Sequence, residues 1–143
     1  MKLINVAEMK EMEEKANSSG FSYSEMMKTA GTGIANFVIN RYGSIPGKTV
    51  IGLVGAGNNG GDTLIALDAL QQNGWSTASL RVKERKSSDP NLKGYLASGG
   101  KVVQLEELAT FTESSKGAGI LLDGVFGTGF HPPLPENVIN IFT

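Results

Sequence analysis

Glycines, two amides and a carboxylate form the string in this sequence that most strongly suggests chemistry. Residues 55–62 read Gly-Ala-Gly-Asn-Asn-Gly-Gly-Asp and directly follow the apolar run Thr49–Val54. The first six fit the G-x-G-x-x-G spacing, which in dinucleotide-binding folds brings a pyrophosphate to a helix N-terminus. Asn58, Asn59 and Asp62 add side-chain ligands to the bare backbone N–H groups. The string predicts a nucleotide-binding turn; the alternative is a strand-to-helix turn with Asp62 as its N-cap.

A second string has the same character. Residues 123–130 read Asp-Gly-Val-Phe-Gly-Thr-Gly-Phe and follow the apolar run Ile120–Leu122. A carboxylate inside an apolar strand is costly unless it is paired or bound to a cation. Asp123 is therefore predicted either to face a ligand or to be buried and bonded to loop amides. In a parallel sheet both strings lie at the carboxyl edge, where such sheets bind ligands, so we expect two remote turns to meet over one pocket.

Composition excludes several other kinds of chemistry. The chain has 143 residues and a net charge of -1, with no cysteine and a single histidine, His131. Disulfide scaffolds, zinc–thiolate sites, iron–sulfur clusters and thiol catalysis are excluded, and the charge is too small for general binding to nucleic acid or acidic membranes. No run approaches the ~18 apolar residues of a membrane helix, and the N-terminus does not resemble a signal peptide. The cytoplasm is the expected compartment.

The elements that position both strings alternate between strand and helix. This alternation predicts a parallel sheet covered on both faces. The predicted fold class is a single α/β domain over residues 1–143, with a Rossmann-like doubly wound sheet preceded by two helices. The predicted strands are Thr49–Val54, Ser76–Val82, Lys101–Leu105 and Ile120–Phe126, and the helices between them are Asp62–Gln72, Pro90–Ser98 and Glu106–Ser115.

The first 43 residues carry the two helical patterns, in which apolar residues recur at three- and four-residue spacing. Ser22 and Glu25 fit a capping box at the start of the second helix. Gly31 and Gly33 weaken that helix by propensity and predict its close packing against another element. The apolar residues are Val6, Met9, Met12 and Ala16 in the first helix, and the predicted buried face of the second is Met27, Ala30, Ile34, Phe37 and Val38.

The tail predicts one more helix, which begins near Pro133–Glu136. No strand follows this helix, so the sequence predicts a domain that is incomplete at its C-terminal end. The predicted buried residues of the helix are Val138, Ile139, Ile141 and Phe142.

Together, the two glycine strings resemble those of the NAD(P)H-hydrate epimerases, whose domain is also called the YjeF N-terminal domain. The opening helices, at Val6–Met9 and Met26–Gly31, are also similar to the family. The resemblance implies an isomerase for metabolite repair that interconverts the R and S forms of hydrated NADH and NADPH and binds a potassium ion near its site. It also implies a homodimer as a common assembly and a dehydratase partner, either fused or separate.

The resemblance extends to individual residues. It implies Asn59 and Asp123 as potassium ligands, and either Lys83 or Lys93 as the family's lysine. We assign the acid/base role to Asp123, or to a water that it holds, aided by Lys93. The implied substrate-binding residues are Asn58, Asn59, Gly60, Gly61, Asp62, Gly127, Thr128, Gly129, Phe130, His131, Pro132 and Pro133.

Two departures from the family and two other functions remain open. Family members carry a further strand that ends in Asp-x-Pro-Ser-Gly, which this chain lacks, and Thr63 stands where a glycine is usual. An NADP-dependent oxidoreductase is one alternative, because Arg81 or Lys83 stands where NAD-binding folds place an acidic residue ~20 positions after the glycines. A nucleotide-binding module without turnover is the other.

Overall fold

Two helices precede a parallel sheet in the computed structural model of this chain, which describes residues 3–113 and 119–142. The helices are α1 (Val6–Ser18), α2 (Tyr23–Tyr42), α3 (Asn58–Gln72), α4 (Pro90–Ala97), α5 (Leu108–Glu113) and α6 (Glu136–Phe142), with a turn of 3-10 helix at Leu105–Glu107. The strands are β1 (Thr49–Val54), β2 (Ser76–Arg81), β3 (Lys101–Val103) and β4 (Ile120–Gly124).

The order of the strands creates a ligand-binding edge. The order is β3-β2-β1-β4, and every pairing is parallel. The chain runs outward from β1 to β3 and then returns to place β4 on the other side of β1. In open α/β sheets, ligands bind at the carboxyl ends of the strands where the order reverses in this way. Val54 pairs with Gly124, so both glycine strings leave the sheet at that point.

Hydrophobic cores on both faces of the sheet confirm the doubly wound fold. One core joins β1 to α2, α3 and α4 and includes Val54 and Tyr95. The other contains Leu53 and Val138 of α6, with Leu108 of α5 packed against it. Successive strand residues point to opposite faces, which is why Leu53 and Val54 belong to different cores.

The start of α2 is as predicted, and Val38 is buried as expected, but other residues of the predicted buried face are exposed. The backbone N–H of Ser22 donates to Glu25 Oε2 at 2.8 Å, and the Glu25 N–H donates to Ser22 Oγ at 3.3 Å, which is the expected capping box. Phe37, however, is 63% exposed, and Ala30 is exposed as well. The reason is that α2 packs along α3, and this contact buries a narrower stripe of α2 side chains than the hydrophobicity pattern predicts. The buried residues of α2 are Gly31, Ala35 and Val38.

Helix α1 forms as predicted, yet none of its residues is buried. Its start is fixed by Asn5, whose Oδ1 accepts the N–H groups of Ala7 and Glu8. Val6 and Met9 remain 44% and 43% exposed. The apolar side of α1 therefore covers no core, and these two residues instead border the cleft described below.

Three strands end earlier than the sequence predicts. The structure ends β2 at Arg81, β3 at Val103 and β4 at Gly124. Leu105 already begins the 3-10 turn, which shortens β3. At the end of β4, Asp123 Oδ1 accepts the N–H of Val125 at 3.0 Å, and this local bond replaces the strand ladder.

The helices late in the chain also differ from prediction. Helix α5 begins at Leu108 and not at Glu106, and residues 114–115 of its predicted range lie outside the described residues. The tail helix α6 is present and buries Val138, but Ile139 is 43% exposed, contrary to prediction. The Phe142 side chain also lies outside the description. In the ranges that are described, no helix has both the length and the apolar character needed to cross a bilayer.

Gly31 and Gly33 give a matched test of the α2–α3 packing. A Cβ at Gly31 would lie 2.6 Å from both the Asp62 carbonyl oxygen and the Ile65 Cβ, whereas a Cβ at Gly33 would meet nothing within 4 Å. The close packing predicted at Gly31 is thus confirmed, and the same prediction at Gly33 is wrong. We expect Gly31→Ala to cost about 1–3 kcal/mol of unfolding free energy through overpacking.

The control, Gly33→Ala, should stabilise the chain by roughly 0.5–1 kcal/mol, because alanine restricts the unfolded backbone more than glycine does. Urea unfolding followed by circular dichroism measures both variants. Equal effects of the two substitutions would show that α2 does not pack on α3 at Gly31.

Candidate functional site

The first glycine string begins a helix earlier than expected. Helix α3 starts at Asn58, with Gly57 as an N-cap that makes no side-chain capping bond. Asp62 is therefore the fifth residue of the helix and not its cap, which removes the purely structural alternative for this residue. Asn58 and Asn59 lie in the first turn, where backbone N–H groups lack helical partners and favour anions.

Backbone contacts without room for a side chain join the two glycine strings. A Cβ on Gly55 would collide with the Val125 carbonyl, and a Cβ on Gly124 would collide with Thr63 Oγ1 and lie 2.8 Å from the Asn59 carbonyl oxygen. The Gly55 N–H donates to the Gly124 carbonyl at 3.1 Å. The positive-φ glycines of the described chain lie elsewhere, at Gly20, Gly47, Gly74 and Gly99. Glycine is required here because the two chain segments approach each other closely, and not because the backbone is left-handed.

One side-chain bond spans the junction. Asn59 Nδ2 donates to the Phe126 carbonyl oxygen at 2.6 Å, across 67 positions of sequence. Beyond it, Phe126 and Phe130 pack ring against ring with centroids 4.5 Å apart, and the Phe130 N–H donates to the Gly127 carbonyl. The turn after β4 is thus tied both to α3 and to itself.

The junction forms one wall of a cleft of about 520 Å³. Its lining combines backbone from both turns with charged side chains of both signs. The residues that line it are Val6, Met9, Lys10 and Glu13 of α1, Ala56, Gly57, Asn58, Asn59 and Asp62 of the first turn and α3, Lys83, and Gly124 through Phe130. The prediction that two remote turns meet over one pocket therefore describes this geometry.

The remaining predicted site residues lie outside this lining. Gly60 and Gly61 are buried in the first turns of α3, where they pack and do not face the cleft. His131, Pro132 and Pro133 are exposed residues of the loop beyond Phe130. Lys93 lies on the exposed side of α4, whereas the other candidate, Lys83, is brought to the cleft.

Asp123 is placed differently from either expectation. It is exposed, although it lies within β4. A Cβ on the next residue, Gly124, would lie against α3. Because successive strand residues point to opposite faces, the Asp123 carboxylate points to the other face of the sheet. Oδ1 accepts the Val125 N–H, and within the described residues Oδ2 has no hydrogen-bond partner. The carboxylate thus stands at the strand end next to the cleft and outside its lining.

Asp62 is the carboxyl group that the cleft itself contains. It is half-buried, and this burial raises the pKa of the Asp62 carboxyl above its ordinary value of 3.8. The nearby Glu13 carboxylate of α1 raises that pKa further, because two like charges disfavour ionisation of both. Perturbed carboxyl groups in clefts mark candidate functional sites.

The oxygen donors near the junction are of the kind that bind hard cations. Asn59 donates through Nδ2, and among the described residues no other group bonds its Oδ1 or the second carboxylate oxygen of Asp123. Carboxylate, amide and carbonyl oxygens are the ligands of hard cations. Across residues 3–113 and 119–142, no three His, Asp or Glu side chains gather as a metal-binding group, so a cation there would rely on amide and carbonyl oxygens as well.

Two contributors to the site were missed from the sequence. Glu13 was not a candidate, because nothing in the sequence pattern shows which element α1 faces. Arg85 stands in a basic stretch after β2 and was not a candidate either, although its side chain is only 7% exposed. The available signal was Asp89, four residues later and directly before Pro90, which is typical of a helix N-cap.

The fold and the cleft together define a class: an open parallel α/β domain with a nucleotide-type cleft at the switch point of its sheet. The family described as YjeF-related protein N-terminus matches residues 23–143 of this sequence. The chain belongs to this family, and the resemblance seen in the sequence is confirmed.

This chain spans about half the length of two curated relatives that it matches. A protein of Aspergillus fumigatus named NAD(P)H-hydrate epimerase is 32% identical over 122 residues, which cover 82% of this chain and 49% of the relative. A Caenorhabditis elegans protein of the same name is 30% identical, with coverage of 82% and 47%. The crystal structure of yeast YNL200c has the same fold, with a TM-score of 0.80 and 22% identity over 99% of this chain and 63% of that one.

The Asn59–Phe126 bond can be tested by deletion. Asn59→Ala removes the donor, and we expect a loss of about 0.5–1.5 kcal/mol in unfolding free energy. Amide hydrogen exchange should also become faster at residues 127–130. Asn58→Ala is the matched control, since it deletes an exposed amide from the same helical turn. Indistinguishable exchange at residues 127–130 in the two variants would contradict the role given to this bond.

The raised pKa of Asp62 predicts a pH-dependent stability. The folded-state pKa lies above the unfolded one. The stability that the protonated Asp62 carboxyl contributes is therefore fully present below the unfolded pKa, near 3.8, and is lost as pH rises through the folded value. Asp62→Asn should therefore stabilise the chain above that range by a few tenths to about 1 kcal/mol. Glu13→Gln should also stabilise the chain above that range, by a smaller amount.

Urea unfolding between pH 3 and pH 8 gives this comparison, with Glu14→Gln of the same helix as the control. The stability difference between Asp62→Asn and the parent chain should vanish at the acid end and level off once Asp62 is ionised. A difference that is constant with pH would mean that the carboxyl is not perturbed.

Proposed function

We propose that this chain acts as an NAD(P)H-hydrate epimerase that interconverts the R and S forms of hydrated NADH or NADPH. The observation that supports this most is the junction of the two glycine strings over one cleft, bridged by the Asn59–Phe126 bond. The names of the relatives supply the substrate class. The geometry supplies a place at the carboxyl edge of the sheet where a dinucleotide fits.

The ends of the substrate find different partners in this proposal. The diphosphate would lie over the first turn of α3, where the N–H groups around Asn58 and the Lys83 ammonium favour negative charge. The hydrated ring would lie toward the turn after β4, against the packed rings of Phe126 and Phe130. The loop through Pro133 would then close over the nucleotide, as the resemblance implies.

The reaction requires proton transfer at one carbon. In the hydrate, the hydroxyl is on a carbon bonded to the ring nitrogen, whose lone pair can expel it. An acid protonates the departing oxygen, which leaves as water, and a second water then adds to either face of the ring and gives up a proton to a base. The protein therefore needs one acid, one base and a fixed electrostatic surround.

Two carboxyl groups in unlike environments can divide these roles. Asp62 lines the cleft, and its raised pKa suits the acid that protonates the departing hydroxyl. Asp123, exposed at the end of β4, would hold and deprotonate the incoming water, as we predicted from the sequence. Lys83 takes the supporting place first given to Lys93, because Lys83 lines the cleft.

A potassium ion is the proposed cofactor. Asn59 Oδ1 and Asp123 Oδ2 would hold it, since amide and carboxylate oxygens are ligands of hard cations. When bound, it supplies a fixed positive charge that keeps neighbouring carboxylates ionised and orders the two turns. The homodimer, the dehydratase partner and the cytoplasmic location remain predictions from the sequence.

The direct test follows single R and S hydrates by chromatography in the presence of the chain. We expect each epimer to convert to the same mixture faster than in buffer alone, and potassium to increase the rate over sodium. Calorimetry with hydrated NADPH, NADPH and ATP then separates the alternatives. Binding of the hydrate without exchange would favour a binding module, and oxidation of NADPH would favour an oxidoreductase.

The two proton-transfer roles are tested by Asp62→Asn and Asp123→Asn. We expect each to lower the rate of epimer exchange about 100-fold or more, with hydrate affinity changed only a few-fold. Glu14→Gln, an exposed carboxyl of α1, is the control and should leave the rate unchanged. Normal exchange in either aspartate variant would remove that residue from the mechanism.

A further inference from the structure

The Arg85 guanidinium holds the glycine turn through two backbone carbonyls. Its Nη1 donates to the Gly55 carbonyl at 2.7 Å and to the Gly57 carbonyl at 3.0 Å. The side chain is only 7% exposed, and the bond to Gly55 is partly buried, whereas the bond to Gly57 is exposed. Arg85 comes from the segment after β2, and 28 residues separate it from Gly57.

Asp89 holds the guanidinium in place. Its Oδ2 accepts from Arg85 Nη2 at 2.6 Å and from Nε at 3.1 Å. Its Oδ1 accepts the N–H groups of Asn91 and Leu92 and so caps α4. Burial alone would raise the pKa of Asp89, but these N–H bonds and the Arg85 charge outweigh it and lower the pKa. The ion pair neutralises the guanidinium, so Arg85 acts on the turn by geometry more than by net charge.

Because of peptide geometry, the two hydrogen bonds from Arg85 also orient the N–H groups of the turn. In a planar trans peptide the N–H points opposite to the C=O of the same unit. Binding of the Gly55 and Gly57 carbonyls to Arg85 therefore directs the N–H groups of Ala56 and Asn58 away from the guanidinium. Ala56 and Asn58 both line the cleft. These donors are the ones that an anionic oxygen of a ligand would meet at the start of α3.

We propose that Arg85 is a positioning residue, which fixes the Gly55–Gly57 turn so that its amides bind the diphosphate of the substrate. This inference rests on the proposed function for the identity of the ligand. The effect of Arg85 on the turn does not depend on the proposed function. Lysine cannot replace Arg85 fully, because a single ammonium lacks the planar fork that bonds two carbonyls and a carboxylate at once.

The test compares Arg85→Met with Arg85→Lys, and with Arg41→Met as a matched control in the last turn of α2. Amide hydrogen exchange reports on the turn without any ligand. We expect exchange at residues 56–59 to become about tenfold faster in Arg85→Met, with residues 50–53 of β1 unchanged and Arg85→Lys intermediate. Arg41→Met should match the parent chain. Unchanged exchange at residues 56–59 in Arg85→Met would overturn the proposal.

Calorimetry with hydrated NADPH measures the consequence for binding. Affinity should fall about tenfold or more in Arg85→Met and recover in part in Arg85→Lys, while Arg41→Met stays at the parent value. Parent-like affinity in Arg85→Met would overturn the binding role. If the parent chain binds no hydrate, the proposed function fails, and the exchange measurement still decides the effect of Arg85 on the turn.

Loss of fold is distinguished from loss of positioning by a second variant. Asp89→Asn keeps the size of the side chain and the oxygen that caps α4, but it removes the charge that holds the guanidinium. We expect faster exchange at residues 56–59 here as well, by a smaller factor than in Arg85→Met. If Arg85→Met does not fold, exchange at residues 56–59 in Asp89→Asn and Arg85→Lys decides the matter: parent-like values in both would overturn the proposal.

Discussion

The contact of backbone on backbone between the two glycine strings is the constraint on which the rest of the site depends. Gly55 lies against the Val125 carbonyl, and Gly124 lies against Thr63 and the Asn59 carbonyl, with no space for a Cβ at either position. Any larger residue would separate α3 from the end of β4 and open the junction. The wall of the cleft is made of main chain for this reason, and its N–H and C=O groups are available to a ligand.

A turn without side chains cannot hold itself in one conformation, because glycine has the most backbone freedom to lose. In this chain the restraint comes from two directions. Asn59 ties the turn to the Phe126 carbonyl on the β4 side, and Arg85 ties it to the segment after β2 on the other. Both partners are adjacent to β1 in the strand order, so the sheet topology itself brings the restraints within reach.

The sequence predicts those features that depend on local pattern. The four strands, the capping box at Ser22 and the meeting of the two strings follow from periodicity and from the parallel rule. Features that depend on which elements pack against each other were predicted poorly. Phe37 is exposed because α2 packs on α3, and Asp123 is exposed on the edge strand of the described sheet, on the face away from α3. Arg85 was missed because its partners at Gly55 and Gly57 are remote in sequence and are backbone atoms.

The distribution of charge in the cleft bears on the proposed chemistry. Loss of the protonated hydroxyl as water would leave positive charge on the ring, shared between the nitrogen and the reacting carbon. A carboxylate near that ring favours the developing charge, and Asp62 and Glu13 line the cleft from two different helices. The diphosphate carries the opposite charge and favours the N–H groups of α3 and Lys83. Asp62 lies one turn of α3 from Asn58, so in the proposed reaction the cleft would offer N–H donors to the diphosphate and carboxyl groups to the charge that develops in the transition state, which is what distinguishes catalysis from binding alone.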